Sequence, residues 1–259
     1  MPANDLPLLI EAAEEAGRIA TRYIGAPIEI RDKPDGAGPV TEADLAVDAA
    51  LAQILRGARP DYGWLSEETD DSLDRLEAER VFIVDPIDGT RAFIDGEDIW
   101  AHSLAVAERG VVTSAAIFLP MCDKMYTAAV GQGAALNGVP IRVTDRADLD
   151  GASLLASRPS LAPELWRTGH APLVTRAFRP SLAYRLSLVA EGRYDAMLTL
   201  RASWEWDIAA GDLILREAGA ATSTRRAAPL LFNNPDPRLD GVIAANPTLH
   251  GALHAALAE

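Results

Sequence analysis

The sequence predicts an α/β (α+β) fold built from two halves, and three patterns along its 259 residues support this prediction. Two helical stretches come first, at residues 6–23 and 41–55. Short β-type runs follow between residues 62 and 130, and strand and helix patterns alternate from residue 153 onward. Such elements pack in layers, so we expect an α+β half joined to a layered α/β half.

The first half opens with two predicted helices separated by a loop. Apolar residues recur at helical spacing, with acidic residues between them, over residues 6–23. Residues 31–39 are rich in Gly, Pro and Asp, which is the composition of a loop. Thr41 is a good N-cap for the helix at 41–55, and Asp44 follows three positions later, so capping alone could explain both residues.

Strand patterns dominate the middle of the chain, at residues 62–66, 81–84, 100–107, 111–118 and 125–130. A short turn separates the third run from the fourth, so we expect an antiparallel meander. The later strands are predicted at 153–156, 173–177, 195–200 and 241–244, and the later helices at 161–167, 181–191 and 207–218. Turn-forming residues cluster at 144–151, which divides the chain into an N-terminal half, 1–146, and a C-terminal half, 147–259.

Acidic residues exceed basic ones, with 38 Asp and Glu against 24 Lys and Arg and a formal net charge of −14. Nucleic-acid polymers and anionic membranes attract cationic surfaces, so this charge argues against both as partners. The excess is concentrated between residues 67 and 98, which hold 12 acidic and 3 basic residues. Such a density of negative charge is either solvated or neutralised by cations.

The cysteine content and the lengths of the uncharged runs indicate in which cellular compartment the protein is expected. Cys122 is the single cysteine and cannot form an internal disulfide, which fits a reducing cytoplasm. The N-terminus lacks the basic flank of a signal peptide, and the apolar, uncharged run at residues 110–122 is too short to span a bilayer. We therefore expect a cytoplasmic location.

The strongest local signal is the segment 84–90, Val-Asp-Pro-Ile-Asp-Gly-Thr. A hydrophobic strand delivers Asp85 at its end, and the Pro and Gly of the turn bring Asp88 back beside it. Two carboxylates aimed at one point repel each other unless a cation lies between them, and oxygen ligands without Cys or His favour Mg²⁺ over zinc. The N–H groups of Gly89 and Thr90 would form a nest for phosphate oxygens. An ordinary Asp-Gly turn is the alternative.

Three further acidic features strengthen the metal interpretation by occurring together. Glu67 and Glu68 follow a strand-like segment, where a solvated loop is the alternative. Asp207 stands where a helix should begin, and could be an N-cap only. Asp44 near its own helix start is the last candidate.

Other reactive sites are not indicated. The four histidines have no spacing typical of metal ligands, so we expect each of them on the surface or in the core. No GxSxG nucleophile elbow is present. The glycines at 131 and 133 lack the third glycine of a dinucleotide fingerprint and indicate a hairpin.

Taken in order, these acidic motifs resemble the inositol monophosphatase family, the lithium-sensitive, Mg²⁺-dependent phosphomonoesterases. The family pattern is an acid near a helix start, Glu-Glu, Asp-Pro-Ile/Leu-Asp-Gly-Thr, and Trp-Asp-x-x-Ala-Gly. All four elements occur here in that order, at Asp44, 67–68, 85–90 and 206–211. The resemblance implies an αβαβα layered sandwich, with the metal site at the junction of the two halves. It also implies a protein that is a monomer or a homodimer.

The resemblance assigns a metal role to five of these positions. Glu67, Asp85 and the backbone carbonyl of Ile87 would hold the first Mg²⁺, while Asp85, Asp88 and Asp207 would hold the second. Glu67 also stands where the family places a third, weaker metal. Glu68 and Thr41 would support these ligands without binding a metal themselves.

The family chemistry is hydrolysis of a small phosphate ester by metal-activated water, inhibited by Li⁺. Asp44 and Thr90 would orient and deprotonate that water, with Glu67 also part of the catalytic set. The N–H groups of Gly89 and Thr90, together with Asp88, would contact the phosphate.

Substrate choice in the family depends on the rim of the site. Leu200 stands where inositol-specific members carry a glutamate, and the spacing before Asp207 is similar to that of the 3'(2'),5'-bisphosphate nucleotidases. Arg91 and Arg201 are cationic candidates for a second phosphate, or ordinary surface charges. Ser181 is the expected rim residue of the following helix, with a proline before it where the family has glycine. The alternatives are an inositol, histidinol or sugar phosphate as substrate, or an inactive metal-binding relative.

Overall fold

The computed structural model describes residues 5–33 and 38–258 and begins with a pair of packed helices. Helix α1 (Leu6–Ala20) buries an alanine-rich stripe against the later α2. Between them, β1 (Ile30–Asp32) and β2 (Pro39–Thr41) pair antiparallel, so the ends of the predicted loop are strands while its centre, residues 34–37, lies outside the described residues. Helix α2 (Glu42–Ala58) begins after Thr41, as predicted.

A seven-stranded sheet follows, with its strands side by side in chain order. They are β3 (Gly63–Ser66), β4 (Arg80–Asp88), then after the short helix α3 (Thr90–Ile94), β5 (Ala101–Glu108), β6 (Val111–Leu119), β7 (Lys124–Ala129), β8 (Ala134–Leu136) and β9 (Val139–Pro140). The predicted antiparallel meander is confirmed from β4 onward. Strand β3 instead runs parallel to β4, which brings the carboxyl ends of both strands to one edge.

The second half forms a mixed five-stranded sheet with three helices. Its elements are β10 (Ser153–Ala156), β11 (Thr175–Ala177), α4 (Leu182–Ala190), β12 (Ala196–Thr199), β13 (Ser203–Trp204), α5 (Glu205–Glu217), β14 (Ala221–Ser223), β15 (Arg238–Leu239), β16 (Val242–Ala245) and α6 (Pro247–Ala256). The order within the sheet is β11-β10-β12-β16-β14, and β13 pairs with β15 beside it.

The layers are assembled by strands that are buried on both faces. In β4, Phe82 and Val84 pack in the apolar cluster of α1 and α2, while Val81 and Ile83 pack in the cluster of α4 and α5. The five-stranded sheet covers the other side of α4 and α5, and α6 packs on its outer face. The order is therefore helix, sheet, helix, sheet, helix, which confirms the αβαβα sandwich.

Two predicted helices differ from the structure. The predicted helix at 161–167 is wrong, because the chain makes only two 3₁₀ turns, at Arg158–Leu161 and Pro163–Leu165. Pro163 holds the preceding Ala162 at φ −62° and ψ 136°, outside the helical region. Helix α5 begins at Glu205 with Trp204 as N-cap, so Asp207 is not the capping residue.

The division at residue 146 stays a prediction, and it falls between the last strand of one sheet and the first strand of the other. None of the helices in the described part of the chain is both long enough and apolar enough to cross a membrane.

Candidate active site

The carboxyl ends of β3 and β4 and the first turn of α5 meet at one edge of the seven-stranded sheet. Glu67 directly follows β3, Asp85 lies near the end of β4, and Asp207 lies in the first turn of α5. One carboxylate oxygen from each lies within 4.8 Å of the other two. Ser103 on β5 donates a hydrogen bond of 3.0 Å to the carbonyl of Trp206 and so ties the start of α5 to the sheet.

Asp88 joins this group because β4 is irregular. Asp85 pairs with Ser103 and Asp88 pairs with Ala101, so the register shifts by one residue between the two acids. Side chains alternate along a regular strand, and two residues three positions apart would point to opposite faces. The irregularity brings Asp88 to the same side as Asp85, where it contacts α4.

The electrostatics of these carboxylates favour the binding of a cation. Both oxygens of Asp85 are buried and have no hydrogen-bond partner among the described residues. Burial raises the pKa of Asp85 well above its usual value, and the charges of Glu67, Asp88 and Asp207 raise it further. The pKa of Asp207 is raised in the same way, by burial and then by Asp88 and Glu67. Four oxygen-donor side chains fit a hard divalent cation such as Mg²⁺.

Asp88 is held by hydrogen bonds from the start of α4. Its Oδ2 accepts hydrogen bonds of 2.6 Å from the Ser181 hydroxyl and 2.6 Å from the Ala183 N–H. Burial raises the pKa of Asp88, and these hydrogen bonds oppose the shift. Ser181 itself caps α4 and is fully buried. The structure therefore corrects its predicted place at the substrate rim, because Ser181 is enclosed, bonds the Asp88 carboxylate and is not among the described residues that line the cavity.

Asp44 takes part in a capping box and also contacts Thr90. It is fully buried, and its Oδ2 accepts hydrogen bonds of 2.8 Å from the Thr41 N–H and 2.5 Å from the Thr41 hydroxyl in a capping box. Its other oxygen lies 3.4 Å from the Thr90 hydroxyl, which also lies 3.2 Å from the Ile87 carbonyl. Burial raises the pKa of Asp44. Capping therefore orients Asp44, while its free oxygen faces Thr90.

Lys33 is a functional candidate that the sequence did not single out. Its Nζ donates to Glu67 at 2.6 Å and to Glu68 at 2.7 Å, so it is the counter-ion of both acids. Burial raises the pKa of Glu68 to about 7 despite this contact. A lysine in a Gly/Pro-rich loop carries no spacing signal, and only the pairing of β1 with β2 brings it here.

The open face of the site is a cavity of about 650 Å³. Gly89 lines this cavity with φ 100°, a left-handed conformation that glycine adopts without strain. Beyond the metal-ligand candidates, the charged residues that line the cavity in the described part of the chain are Arg91 and Arg201. Both therefore line the cavity, and their role in binding a second anion stays a prediction.

Arg185 lies near this cavity and was not indicated by the sequence. It is 5% exposed, and its guanidinium lies 5.0 Å from the centre of the Phe178 ring. Burial lowers its pKa, and the negative charges of Asp88 and Asp207 oppose that shift. It thus adds a fixed positive charge near the metal-ligand candidates from α4.

Comparison with known proteins agrees with this geometry. The model of the inositol monophosphatase family matches residues 3–259. The chain belongs to this family. Among curated inositol monophosphatase family members, it is 34% identical to the histidinol-phosphatase of Mycobacterium tuberculosis, over 96% of each chain. It is 30% identical to the inositol-1-monophosphatase of Mesorhizobium japonicum, over 96% of this chain and 94% of that protein.

Solved structures of the inositol monophosphatase family have the same fold. The SuhB protein of Bartonella henselae superposes with a TM-score of 0.81 at 28% identity, over 98% of both chains. An inositol monophosphatase of Thermotoga maritima superposes with a TM-score of 0.82 at 26% identity, over 98% of this chain and 96% of that chain. The Nus factor SuhB of Escherichia coli K12 is 31% identical in sequence, over 84% of each chain.

Proposed function

We propose that the protein is a Mg²⁺-dependent phosphomonoesterase. The observation that carries the proposal is Asp85, a buried carboxylate without a hydrogen-bond partner whose nearest charged neighbours include three more acids. An arrangement of this kind is unfavourable for the protein alone and favourable once divalent cations bind. Membership of a metal-dependent family of phosphatases supports the same conclusion.

Two groups of ligands would hold two ions. Glu67, Asp85 and the carbonyl of Ile87 form the first group, and Asp85, Asp88 and Asp207 form the second. A third ion would bind at Glu67. When bound, Mg²⁺ supplies Lewis-acid stabilisation of the phosphate and lowers the pKa of water.

The remaining residues would orient the nucleophile and the substrate. The Thr90 hydroxyl, 3.4 Å from Asp44, would hold the attacking water and pass its proton to that carboxylate. The raised pKa of Asp44 makes it a better proton acceptor than an exposed aspartate. The N–H groups of Gly89 and Thr90, residues that line the cavity, would bind phosphate oxygens.

For the substrate, we infer a preference for esters that carry a second anionic group, with 3'(2'),5'-bisphosphate nucleotides first. Arg91 and Arg201 at the rim support this preference, since guanidinium groups bind phosphate in a bidentate manner. Leu200, in place of a ring-hydroxyl acceptor, disfavours inositol phosphate. Histidinol phosphate is the second candidate, because of the histidinol-phosphatase relative that is 34% identical.

The test is phosphate release from adenosine 3',5'-bisphosphate, inositol 1-phosphate and histidinol phosphate. We expect turnover with Mg²⁺, none after EDTA treatment, and inhibition by Li⁺. Failure to hydrolyse any phosphate monoester would make the chain an inactive metal-binding relative and overturn the proposal. Equal activity on inositol phosphate and the bisphosphate would overturn only the substrate preference.

Two variants distinguish a substrate contact at the rim from a general effect of surface charge. Arg201→Gln should raise KM for the bisphosphate far more than for a monophosphate, because only the bisphosphate has a second anion to lose. Arg167→Gln is the matched control, since Arg167 lines a different cavity. An equal effect of the two variants would argue against Arg201 as a substrate contact.

Cytoplasmic location, a monomeric or homodimeric state, and the absence of nucleic-acid or membrane partners stay predictions. Sedimentation of the purified protein with and without Mg²⁺ would decide the oligomeric state.

A further inference from the structure

The shift of register in β4 is a bulge, and His102 is the residue that faces it. Between the pairs Asp85–Ser103 and Asp88–Ala101, two residues of β4, Pro86 and Ile87, lie opposite His102 alone. A bulge of this kind disrupts the ladder locally and leaves its extra residue unpaired. Because proline has no N–H to donate, the backbone of Pro86 can form a hydrogen bond only through its carbonyl oxygen.

The imidazole of His102 supplies that contact. Its Nδ1 lies at hydrogen-bond distance from the Pro86 carbonyl, and the residue is fully buried. A carbonyl oxygen only accepts, so Nδ1 carries the proton in this contact. Burial lowers the pKa of His102 to about 4, so the ring is neutral at neutral pH.

The other ring nitrogen of His102 makes no comparable contact. Nε2 is buried and has no hydrogen-bond partner among the described residues. The ring packs between Trp100, with centroids 5.4 Å apart, and Phe118, at 6.4 Å. A buried polar nitrogen without a partner is unfavourable, and an apolar side chain of similar size would avoid it. The polar contact that the ring does make goes to the bulge.

The bulge decides which way the acids point. Val84 and Ile87 are three positions apart and both pack in the cluster of α1 and α2, whereas Asp85 and Asp88 both face α4 and α5. In a regular strand neither pair could share a face. The extra residue at Pro86 produces both results, and His102 holds the carbonyl of that residue.

We propose that His102 is a positioning residue for the metal site, whose Nδ1–H fixes the Pro86 bulge and so keeps the Asp85 and Asp88 carboxylates convergent. The proposal rests on the proposed metal-dependent function. Groups that orient metal ligands without binding the ion typically change metal affinity by about 10- to 100-fold when removed. His102 would act less directly than such groups, because it holds the backbone of Pro86 and not a ligand side chain.

The experiment compares two substitutions by binding of Mn²⁺, an oxygen-ligand stand-in for Mg²⁺ that electron paramagnetic resonance detects. His102→Leu keeps the volume and removes the donor, and should raise the Kd for Mn²⁺ by about tenfold. His102→Asn places an amide nitrogen at about the position of Nδ1, and should keep the affinity close to that of wild type. Equal Kd values for wild type and His102→Leu, or equal losses for both variants, would overturn the proposal.

Two further measurements keep a folding defect apart from a positioning role. Val106→Ala is the control, because Val106 lies on the same strand and in the same apolar cluster as α1 and α2, away from the bulge. It should lower the melting temperature and leave the Kd unchanged. An equal loss of affinity in this control would reduce His102 to a packing residue and overturn its assigned role.

Wild-type protein gives a test that needs no variant. A nitrogen-15 NMR spectrum of the histidine rings at neutral pH should show His102 protonated at Nδ1, and protonation at Nε2 would contradict the hydrogen bond to Pro86. Failure of wild type to bind Mn²⁺ would instead overturn the metal-dependent function itself.

Discussion

Helix α5 carries two kinds of acid, and their surroundings differ. Glu205 accepts hydrogen bonds from the N–H groups of Asn233 and Asn234, and Asp212 accepts from Thr222 at 2.6 Å. Asp207 instead faces Asp85, which has no hydrogen-bond partner among the described residues.

Burial raises the pKa of all three acids on this helix, so the direction of the shift does not distinguish them. The partners distinguish them. Acids that stabilise the fold are saturated by fixed donors, whereas acids that bind a ligand leave oxygens uncompensated.

The largest expected effect comes from removing the charge of Asp85, the acid whose oxygens have no hydrogen-bond donor among the described residues. Asp85→Asn should reduce phosphatase activity by about 10³-fold, because metal-ion stabilisation of the transition state is worth several kcal/mol. The same change should raise the melting temperature of the metal-free protein, since it removes like-charge repulsion. Activity assays with Mg²⁺ and thermal melts in EDTA check the two effects. A lower melting temperature in EDTA would show that Asp85 is a structural acid.

Substitution of Asp212, an acid whose carboxylate accepts a hydrogen bond, should lower stability and leave activity unchanged. Asp212→Ala leaves the Thr222 hydroxyl without its acceptor and should lower the free energy of unfolding by about 2 kcal/mol. Urea denaturation measures this change. The kcat of the folded variant at low temperature should equal that of wild type, and a large loss of kcat would place Asp212 in the catalytic machinery instead.

The Lys33 ammonium neutralises two acids of the site, and its removal tests how much this positive charge matters. Lys33→Gln removes the counter-ion of Glu67 and Glu68 and should destabilise the metal-free protein by about 1 kcal/mol. Saturating Mg²⁺ should reduce this difference, because the ion then neutralises Glu67. Thermal melts of both proteins in EDTA and in Mg²⁺ decide it, and a difference that Mg²⁺ does not change would contradict the shared role.

A pH dependence of stability is expected from Glu68. Its pKa in the folded protein is raised from 4.5 to about 7 by burial, so between these values the folded state binds more protons than the unfolded state. Stability of the metal-free protein should therefore fall as pH rises from 4.5 to about 7 and then level off with respect to this group. Melts of wild type and Glu68→Gln across this range check it, and parallel curves would contradict it.

Several elements were predictable because local patterns specify them. The amphipathic pattern of α1, the capping residues of α2 and the hairpin between β5 and β6 are sequence-local features. The helix expected at 161–167 failed because Pro163 outweighed its apolar spacing. The parallel pairing of β3 with β4 was also missed, since strand direction depends on the path of the intervening chain.

Site residues divide in the same way. Asp85, Asp88, Glu67 and Asp207 were predictable because they belong to short motifs with recognisable chemistry. Lys33, Arg185 and the contact of His102 with Pro86 were not, because each is joined to the site only by packing across many residues of chain. Ser181 was placed on the right helix but at the substrate rim, since sequence does not show that its hydroxyl is enclosed against Asp88.

Sequence alone was therefore sufficient for the family, the layered fold and the acidic candidates for metal binding, because side-chain chemistry and periodicity are properties of the chain itself. Only the folded molecule decided which acids are left without partners, which cation compensates them and how a bulge turns Asp85 and Asp88 to one side. These features depend on contacts between residues far apart in sequence, and burial makes each of those contacts matter energetically.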